Sequence, residues 1–439
     1  MLRWIFLLCL STSLLATYAQ NQNNFWVYGS QAGINFNTSP PSFVGGNAMI
    51  AYEGAASVAD PITGQLLFYT NGVTVWNAIH SPMPNGTGLL GGSPTLLSST
   101  SAAVICEKPG SINQYYIFTI DEQFGGDGLR YSLVNMSLNG GLGDIVPGQK
   151  NIPMLSTNSE KMCICPNAQG TGFWLITHAN YNVYYAFSIT AAGVSSSAVT
   201  TTIGGDQGNG AGFMKVSPQF DRLAATNLFY QDVELFEFNP STGVLSNPII
   251  INYPNIGAAG GPYGIEFSCS GEVLYVSDGS NLTQFDLSGN SASAIASSAY
   301  AVLSNSFSCY GLQLGPDRKI YVSNGALDVI DNPDALGSAC GYTQGAIANQ
   351  SSGGGWGLPQ WVYRVGDTPI SCEDCQVQTT SISVFSCGSF TDGSGTLFTS
   401  SGVYSDTLQG SNGCDSIVQM NLTILTRYRR ISHPIHPLW

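Results

Sequence analysis

A repeated segment constrains the fold of this chain more than any other feature of the sequence. YGIEFSCSGEVLYVSDG begins at Tyr263, and a close variant, YGLQLGPDRKIYVSNG, begins 47 residues later at Tyr310. In both copies a short strand with alternating apolar residues leads into a turn rich in Ser, Gly, Pro and Asp, and a second strand follows. Each copy therefore predicts a β-hairpin in a repeat protein.

Four earlier segments have the same pattern. They are SVADPITGQLLFYTNG from Ser57, VICEKPGSINQYYIFTID from Val104, MCICPNAQGTGFWLITH from Met162 and GFMKVSPQFDRLAATN from Gly212. Units of about 40 to 50 residues with several strands are typical of β-propellers, because one blade buries its faces only by stacking on its neighbours. We therefore predict an all-β fold with a propeller over residues 23–365. Those 343 residues equal seven repeats of 49, so we expect seven blades, with six or eight as alternatives.

Both ends of this region are expected to build the last blade. FWVYG at Phe25 would meet WVYRVG at Trp361, which would close the ring and remove exposed sheet edges. Two segments, DPITG from Asp60 and NPSTG from Asn239, have the composition of hairpin turns. In each, Pro fixes φ, the first side chain caps the backbone and Gly takes the left-handed position.

The balance of charge excludes some partners. The chain has 13 basic and 27 acidic residues, and four of the basic ones lie in the first 19 and last 14 positions, which contain no acid. Residues 20–426 thus carry 9 basic against 27 acidic groups. Binding to nucleic acid needs clustered Lys and Arg, so we expect neither nucleic acid nor an anionic membrane as partner.

The first 19 residues predict export. They contain one Arg, an apolar run and small residues before Gln20, which is the pattern of a cleaved signal peptide. No later segment has the ~20 apolar residues of a membrane span, so we expect no membrane insertion. Ten cysteines remain after this segment, an even number that suits an oxidising compartment.

Three longer segments carry a resemblance to a known family. They are FWVYGSQAGINFNTSPPSFVGG, YEGAASVADPITGQLLFYTNGVTVWNAIHSPMPNGTGLLGG and YYIFTIDEQFGGDGLRYSLVNMSLNGGLGDI. They resemble secreted Bacteroidota β-propeller proteins of the gliding motility-associated, type IX secretion substrate kind, over roughly residues 24–425. The resemblance implies architecture and export, and it does not imply a particular reaction.

Beyond the propeller the composition changes. A Cys-rich linker is expected over residues 366–380, followed by a small β-sandwich-like module over residues 381–425. Cys387 and Cys414 are the only cysteines of that module, and we predict that they form a disulfide. The module looks like extracellular modules that follow such propellers. Residues 426–439 break its pattern, and family members usually continue into a sorting domain, so we expect a truncation or frameshift near Thr426.

Candidate site residues are few. Asp121, Glu122 and Asp127 surround a Gly-rich loop and are the candidates for a calcium ion, since hard cations bind several oxygen ligands. No catalytic residue is predicted, because no nucleophile motif such as G-x-S-x-G is present. His80 and His178 are expected to be structural, and we expect no other cofactor.

Other residues with possible chemistry are assigned to packing or linkage. Trp76 and Trp174 are expected to pack between blades, with sugar stacking as the alternative. Cys163 and Cys165 should face opposite sides of one strand, which disfavours a bond between them. Cys372, in a C-x-x-C, is assigned to a structural disulfide or a linker rather than to a metal.

Three functions are consistent with these features. The leading hypothesis is an exported, non-catalytic binding or adhesion protein that presents one propeller face to carbohydrate or to a cell-surface protein. The alternative is a hydrolase or lyase acting on polysaccharide or an ester, and the third is a structural component of a cell-envelope assembly. Carboxylates or histidines that converge at one channel mouth would favour an enzyme, whereas a channel filled by apolar side chains would count against it.

Overall fold

The protein consists of two units, Gln20–Cys372 and a second one that includes Glu373–Trp439. The structure is a computed structural model, and it describes residues 21–92, 97–123, 125–156, 159–179, 181–206, 210–254, 259–306, 308–347, 355–370, 372, 378–391, 396–409 and 415–425. The predicted cleaved segment (1–19) and the atypical tail (426–439) lie outside the described residues.

The described part of the first unit forms seven antiparallel sheets, which we number as blades 1 to 7 in chain order. Blade 1 contains β1 Phe25–Tyr28, β2 Ala32–Asn35 and β3 Ser42–Phe43; blade 2 contains β4 Ala56–Ala59, β5 Leu66–Thr70, β6 Thr74–Asn77 and β7 Pro82–Thr87. Blade 3 contains β8 Ala103–Glu107, β9 Gln114–Ile120, β10 Leu129–Asn135, β11 Asp144–Ile145 and β12 Ile152–Leu155; blade 4 contains β13 Met162–Pro166, β14 Phe173–Ala179, β15 Val183–Thr190 and β16 Gly193–Thr202.

Blades 5 to 7 repeat the four-stranded arrangement. Blade 5 contains β17 Met214–Val216, β18 Arg222–Asn227, β19 Asp232–Asn239 and β20 Val244–Asn252; blade 6 contains β21 Ile265–Phe267, β22 Val273–Ser277, β23 Leu282–Asp286 and β24 Tyr300–Leu303. Blade 7 contains β25 Leu312–Leu314, β26 Ile320–Asn324, β27 Ala326–Ile330 and β28 Tyr342–Ile347. The described helical segments are short: the α-helix Ala292–Ser297 and the 3-10 turns Asn21–Asn23, Asn139–Gly141, Leu287–Gly289 and Gly337–Cys340.

All six predicted hairpins are the first two strands of blades 2 to 7. Both predicted turns also form. Asp60 Oδ1 accepts a hydrogen bond from the backbone N–H of Thr63 at 2.7 Å, and Gly64 has a φ of 68°. Asn239 and Gly243 repeat this arrangement, with a φ of 74° at the glycine. The side chain at the first position and the left-handed glycine thus fix the register of these hairpins.

Buried apolar clusters between neighbouring blades close the sheets into a ring. Separate clusters join blades 2 and 3, blades 3 to 5, blades 5 and 6, and blades 6 and 7. The remaining cluster surrounds Trp26 of blade 1 and contains both Tyr321 of blade 7 and Tyr69 of blade 2. Because this last cluster connects the first and last sheets, the unit is a seven-bladed β-propeller, and the predicted fold class is confirmed.

The first strand of each blade runs beside the central axis. We define the upper face of the propeller as the side where the first strands of blades 2 to 7 begin, and the lower face as the side where they end. The loops before these strands therefore lie on the upper face, and the hairpin turns after them lie on the lower face.

Residues 355–370, which we name the axial segment, pass from the upper to the lower face. Near its start Trp356 N donates to Tyr52 O at 2.6 Å, on the upper face. Near its end Ile370 N donates to Pro218 O at 3.1 Å, in a hairpin turn of the lower face. Between these points Tyr363 forms a parallel bridge with Cys106 of β8. The axial segment therefore fills the channel from one face to the other.

The two ends of the propeller meet, but not as predicted. Phe25–Tyr28 pairs with Ala32–Asn35 inside blade 1, and Trp361 does not lie on a strand. The two ends make contact just before β1. There the side chain of Asn23 accepts a hydrogen bond from Val362 N at 2.8 Å and donates one to Val362 O at 3.1 Å. The axial segment leaves blade 1 because it runs along β8 into the channel, so an Asn side chain replaces strand pairing.

The second unit is also built from strands. β29 Gln378–Cys387 pairs in parallel with β33 Asp415–Leu425, and β32 Gly402–Gln409 pairs with β33 on its other side in antiparallel fashion. β30 Phe390–Thr391 and β31 Leu397–Phe398 form a two-stranded sheet. The all-β prediction thus holds in this unit as well.

Candidate functional site

Four polar side chains from four blades converge at the upper mouth of the channel. Glu53, Thr100, Glu160 and Tyr263 each lie two or three residues before the first strand of blades 2, 3, 4 and 6. Glu53 is 6% exposed and Glu160 is 3% exposed, and the other two are also buried. The ring therefore places two carboxylates, 107 positions apart in the sequence, in one buried polar cluster.

Thr100 connects the two carboxylates. Its hydroxyl donates to Glu160 Oε2 at 2.7 Å and lies 3.3 Å from Glu53 Oε2. Glu160 is held further by the backbone N–H of Thr100 at 2.9 Å and of Gln123 at 2.7 Å. Tyr263 donates its hydroxyl proton to Glu53 Oε2 at 2.8 Å. Since both Oε2 atoms contact the same hydroxyl, they lie within about 6 Å of each other.

The two carboxylates have different environments. Burial and, second, the negative charge of Glu160 raise the pKa of Glu53 from 4.5 to about 8. Burial also raises the pKa of Glu160, but hydrogen bonds from Thr100 and from Gln123 oppose this rise. Because the amide hydrogen bonds favour the charged form of Glu160, the proton of the pair resides on Glu53 at neutral pH.

A second buried group of ionisable residues lies next to this cluster. Burial lowers the pKa of Lys161 to about 8, although the charges of Glu234, Asp232 and Glu160 favour its protonated form. Burial and the charge of Lys161 lower the pKa of His178 to about 3. The imidazole is therefore neutral at ordinary pH, and its Nε2–H donates to Tyr181 O at 2.6 Å.

Aromatic rings form one wall of the upper mouth. Trp356 stacks on Tyr310 with ring centroids 4.3 Å apart and an interplanar angle of 17°. Tyr263 contacts both rings edge-on, at 5.5 Å from Tyr310 and 6.4 Å from Trp356. Trp356 remains 41% exposed, and Tyr52, immediately before Glu53, is 62% exposed. The buried carboxylates thus lie directly below an exposed aromatic rim.

Below the mouth, buried polar groups line the channel. Lys215 forms a buried ion pair with Glu266 at 3.1 Å and donates a hydrogen bond to Gln313, so three neighbouring blades are linked across the channel wall. The cavity beside these groups has a volume of about 30 Å³. Trp361 and Tyr363 of the axial segment also line it. Such a volume is roughly that of one water molecule, so this cavity does not hold a larger ligand.

The predicted calcium loop lies beside the mouth, but its carboxylates face backbone amides. Asp121 accepts from the N–H of Glu122 and of Asp127, both at 2.9 Å. Asp127 forms an ion pair with Arg130 at 3.5 Å. Within the described residues, no group of three or more His, Cys, Asp or Glu side chains is arranged to hold a metal. Calcium binding by Asp121, Glu122 and Asp127 stays a prediction.

His80 and the two tryptophans singled out in the sequence lie away from the carboxylates. His80 contacts the hydroxyl of Tyr69 at 3.2 Å, and Trp76 stacks on the same tyrosine with centroids 5.4 Å apart. Trp174 packs on Gly243 and donates its indole N–H to Pro240 O at 2.8 Å. Both tryptophans therefore pack within or between blades.

One disulfide joins described residues, between Cys269 and Cys372, whose Cα atoms are 5.6 Å apart. It ties the chain just after the axial segment to the lower face of blade 6. Cys163 and Cys165 are buried and are not bonded to each other. Of the pair predicted in the small module, Cys414 lies outside the described residues, as does the side chain of Cys387, so that disulfide stays a prediction.

The sequence analysis identified none of Glu53, Thr100, Glu160 and Tyr263 as a site residue. A signal was available in their common position, since each precedes the first strand of its repeat by two or three residues. In a propeller these positions surround the axis. Polar residues there could therefore have been grouped from the repeat pattern alone.

Comparisons with known proteins place the chain among structures of similar fold. No protein-family model matches the sequence, and no curated protein matches it. Among solved structures, it is similar to a proposed 6-phosphogluconolactonase from Bacteroides uniformis, with 12% identity, 73% of this chain and 96% of that chain covered, and a TM-score of 0.46. It is also similar to Hsv2 of Kluyveromyces lactis, with 11% identity, 71% and 90% covered, and a TM-score of 0.40.

A third similar structure is a luciferin-regenerating enzyme, with 12% identity, 70% of this chain and 84% of that chain covered, and a TM-score of 0.37. At these identities and TM-scores the likeness does not extend to activity. The site itself has to carry any functional conclusion.

Proposed function

We propose that the protein is an enzyme that performs general acid–base chemistry at the upper mouth, as a hydrolase or lyase acting on polysaccharide or an ester. One observation carries this proposal: Glu53 and Glu160 come from different blades and meet at the hydroxyl of Thr100. A buried carboxylate with a strongly raised pKa beside a second carboxylate is typical of acid–base catalysts. The filled channel does not oppose this function, since the carboxylates lie at its mouth.

The positions of the protons indicate which carboxylate acts as acid and which as base. Thr100 has a single hydroxyl proton and donates it to Glu160, while Tyr263 donates its proton to Glu53. With a pKa of about 8, Glu53 keeps its own proton at pH 7 and can pass it to a leaving-group oxygen. Glu160, charged and fixed by two backbone amides, can accept a proton from water or from the substrate. Cleavage of a glycoside or an ester needs both steps.

A binding or adhesion function is the second candidate, and exposed aromatic residues favour it. Tyr52, Tyr181, Phe229 and Tyr230 are each more than half exposed, and all lie in loops of the upper face. Exposed aromatic side chains on one face are a common feature of interaction surfaces. Carbohydrate or a cell-surface protein would be the ligand in that case.

We also propose that the protein is exported, as its resemblance to secreted Bacteroidota propellers implies. The disulfide between Cys269 and Cys372 supports this location, because disulfides persist in oxidising compartments. None of the described helices is long and apolar enough to cross a membrane. A connection with gliding motility or type IX secretion rests on the sequence resemblance.

The test compares wild type with Glu53→Gln and Glu160→Gln on a panel of polysaccharides and ester substrates, with products detected by mass spectrometry. Glu272→Gln is the matched control, because this carboxylate is exposed and pairs with Arg222 away from the mouth. We expect cleavage by wild type and control and a loss of at least about 100-fold in either site variant. Retention of uncleaved material by all four proteins would support the binding function and contradict the enzyme.

A further inference from the structure

Trp356 differs from the other aromatic residues of the axis in its exposure. Trp26 and Tyr263 are buried, whereas Trp356 is 41% exposed although one face of its indole stacks on Tyr310. Its backbone N–H is bound to Tyr52 O at 2.6 Å, so the start of the axial segment fixes the position of the ring. An aromatic ring with a supported inner face and a held backbone is a rigid surface for a ligand.

The indole of Trp356 is also linked to Glu53, the proposed proton donor, through the side chain of Tyr263. The ring of Tyr263 contacts that of Trp356 edge-on at 6.4 Å, and the hydroxyl of the same tyrosine binds Glu53 at 2.8 Å. Trp356 therefore lies within one side chain of the carboxylate pair. A ligand that covers the indole would have its edge near Glu53.

We propose that Trp356 is the stacking platform of a saccharide subsite and that the ligand is a neutral sugar chain. This inference deepens the proposed function and rests on it for the position of cleavage. A pyranose ring suits the site because its C–H face packs on an aromatic ring while its hydroxyls bind carboxylates and tyrosine hydroxyls.

Electrostatics specifies that the sugar is neutral. Glu160 and Glu122 lie at or beside the mouth, and the whole chain has a net charge of −14. Lys161, the cation nearest to the pair, is fully buried and is surrounded by the carboxylates of blade 5. Uronates and sugar phosphates would bring further negative charge to a site that has no exposed cation among its described residues, and repulsion would exclude them.

Binding is measured by titration calorimetry with the Glu53→Gln variant, in which turnover is suppressed. The ligands are neutral oligosaccharides (β-glucan, mannan and chitin fragments), uronate oligosaccharides and glucose 6-phosphate. Trp356→Ala and Trp356→Phe are each combined with Glu53→Gln. Tyr300→Ala is the matched control, because it removes an aromatic ring of similar exposure, 39%, on the outermost strand β24 of blade 6, away from the mouth. Circular dichroism verifies that each variant is folded.

We expect a neutral oligosaccharide to bind, Trp356→Ala to weaken this binding by about tenfold or more, Trp356→Phe to retain part of the affinity, and Tyr300→Ala to have no effect. Unchanged affinity in Trp356→Ala, preference for a charged ligand, or no binding by any member of the panel would overturn the proposal. Different results would refute the enzyme and the stacking platform. Binding that depends on Trp356 without cleavage by wild type refutes only the enzyme, and cleavage that is unaffected in Trp356→Ala refutes only the platform.

Discussion

Protonation of Glu53 should make the stability of the propeller depend on pH in a direction opposite to that of an ordinary ion-paired carboxylate. In the folded protein Glu53 keeps its proton up to a pH of about 8, whereas in the unfolded chain it releases the proton above about 4.5. The folded state thus binds one more proton between these values, and the free energy of unfolding decreases as pH rises through this window. Below pH 4.5 the stability that depends on protonated Glu53 is fully present.

The size of the effect follows from the shift. A rise from 4.5 to about 8, at about 1.4 kcal/mol for each pKa unit, corresponds to about 5 kcal/mol lost between pH 4 and pH 9. Exposure of Glu53 is only 6%, so solvent screening reduces this value little. Glu53→Gln removes the titrating group and keeps an oxygen that accepts from Tyr263. We therefore expect the variant to lack this component of the pH dependence.

Urea unfolding followed by tryptophan fluorescence at one-unit steps from pH 4 to pH 9 measures the difference between the two proteins. The variant should gain about 5 kcal/mol relative to wild type across this range. Glu160→Gln should reduce the pH dependence of wild type in part, because the charge of Glu160 contributes to the raised pKa of Glu53. Parallel curves for wild type and Glu53→Gln would refute the assignment of the proton to Glu53.

Three further outcomes are expected. Cys372→Ser opens a loop of 103 residues and should lower the free energy of unfolding by about 2 to 5 kcal/mol in denaturant titrations. Wild type in reductant should have the same stability as the variant. A difference between the two would contradict the assignment of the loss to this disulfide. Lys215→Met leaves Glu266 as a buried unpaired charge and should lower the free energy of unfolding by about 3 to 5 kcal/mol in the same assay. The double variant Lys215→Met/Glu266→Leu should recover most of that loss. Equal losses in the single and double variants would contradict the role of the buried pair. Non-reducing peptide mapping should recover one fragment pair joined through Cys387 and Cys414, and free thiols at both positions would disprove that bond.

The hairpins of blades 2 to 7 were predictable because their determinants are local. In the turn from Asp60 to Gly64 the side chain of the first residue, the proline and the glycine all favour one backbone path. The repeat then predicts the propeller, since six similar hairpins bury their faces only by packing against one another. Blade 1 was less predictable because its closure depends on two ends of the chain that share no repeat pattern.

The carboxylate pair was not predictable from spacing. Glu53 and Glu160 are brought together by the curvature of the ring, and in the sequence only their common position before the first strand of a repeat relates them. The calcium hypothesis rests on Asp121 and Asp127, which are close in sequence. The loop turns the first of these carboxylates toward its own amides, and calcium binding there stays a prediction. Proximity along the chain thus pointed to the loop and did not point to the carboxylate pair.

The axial segment relates the channel to the carboxylate pair. Trp361 and Tyr363 line the channel, and the disulfide at Cys372 ties the chain that follows to the lower face of blade 6. In the proposed function a ligand would therefore approach the carboxylates from the upper face. The same segment also begins with Trp356, which borders the mouth. One stretch of chain thus lines the channel and holds an aromatic ring near Glu53, so displacement of this segment should abolish the proposed ligand binding and also destabilise the propeller.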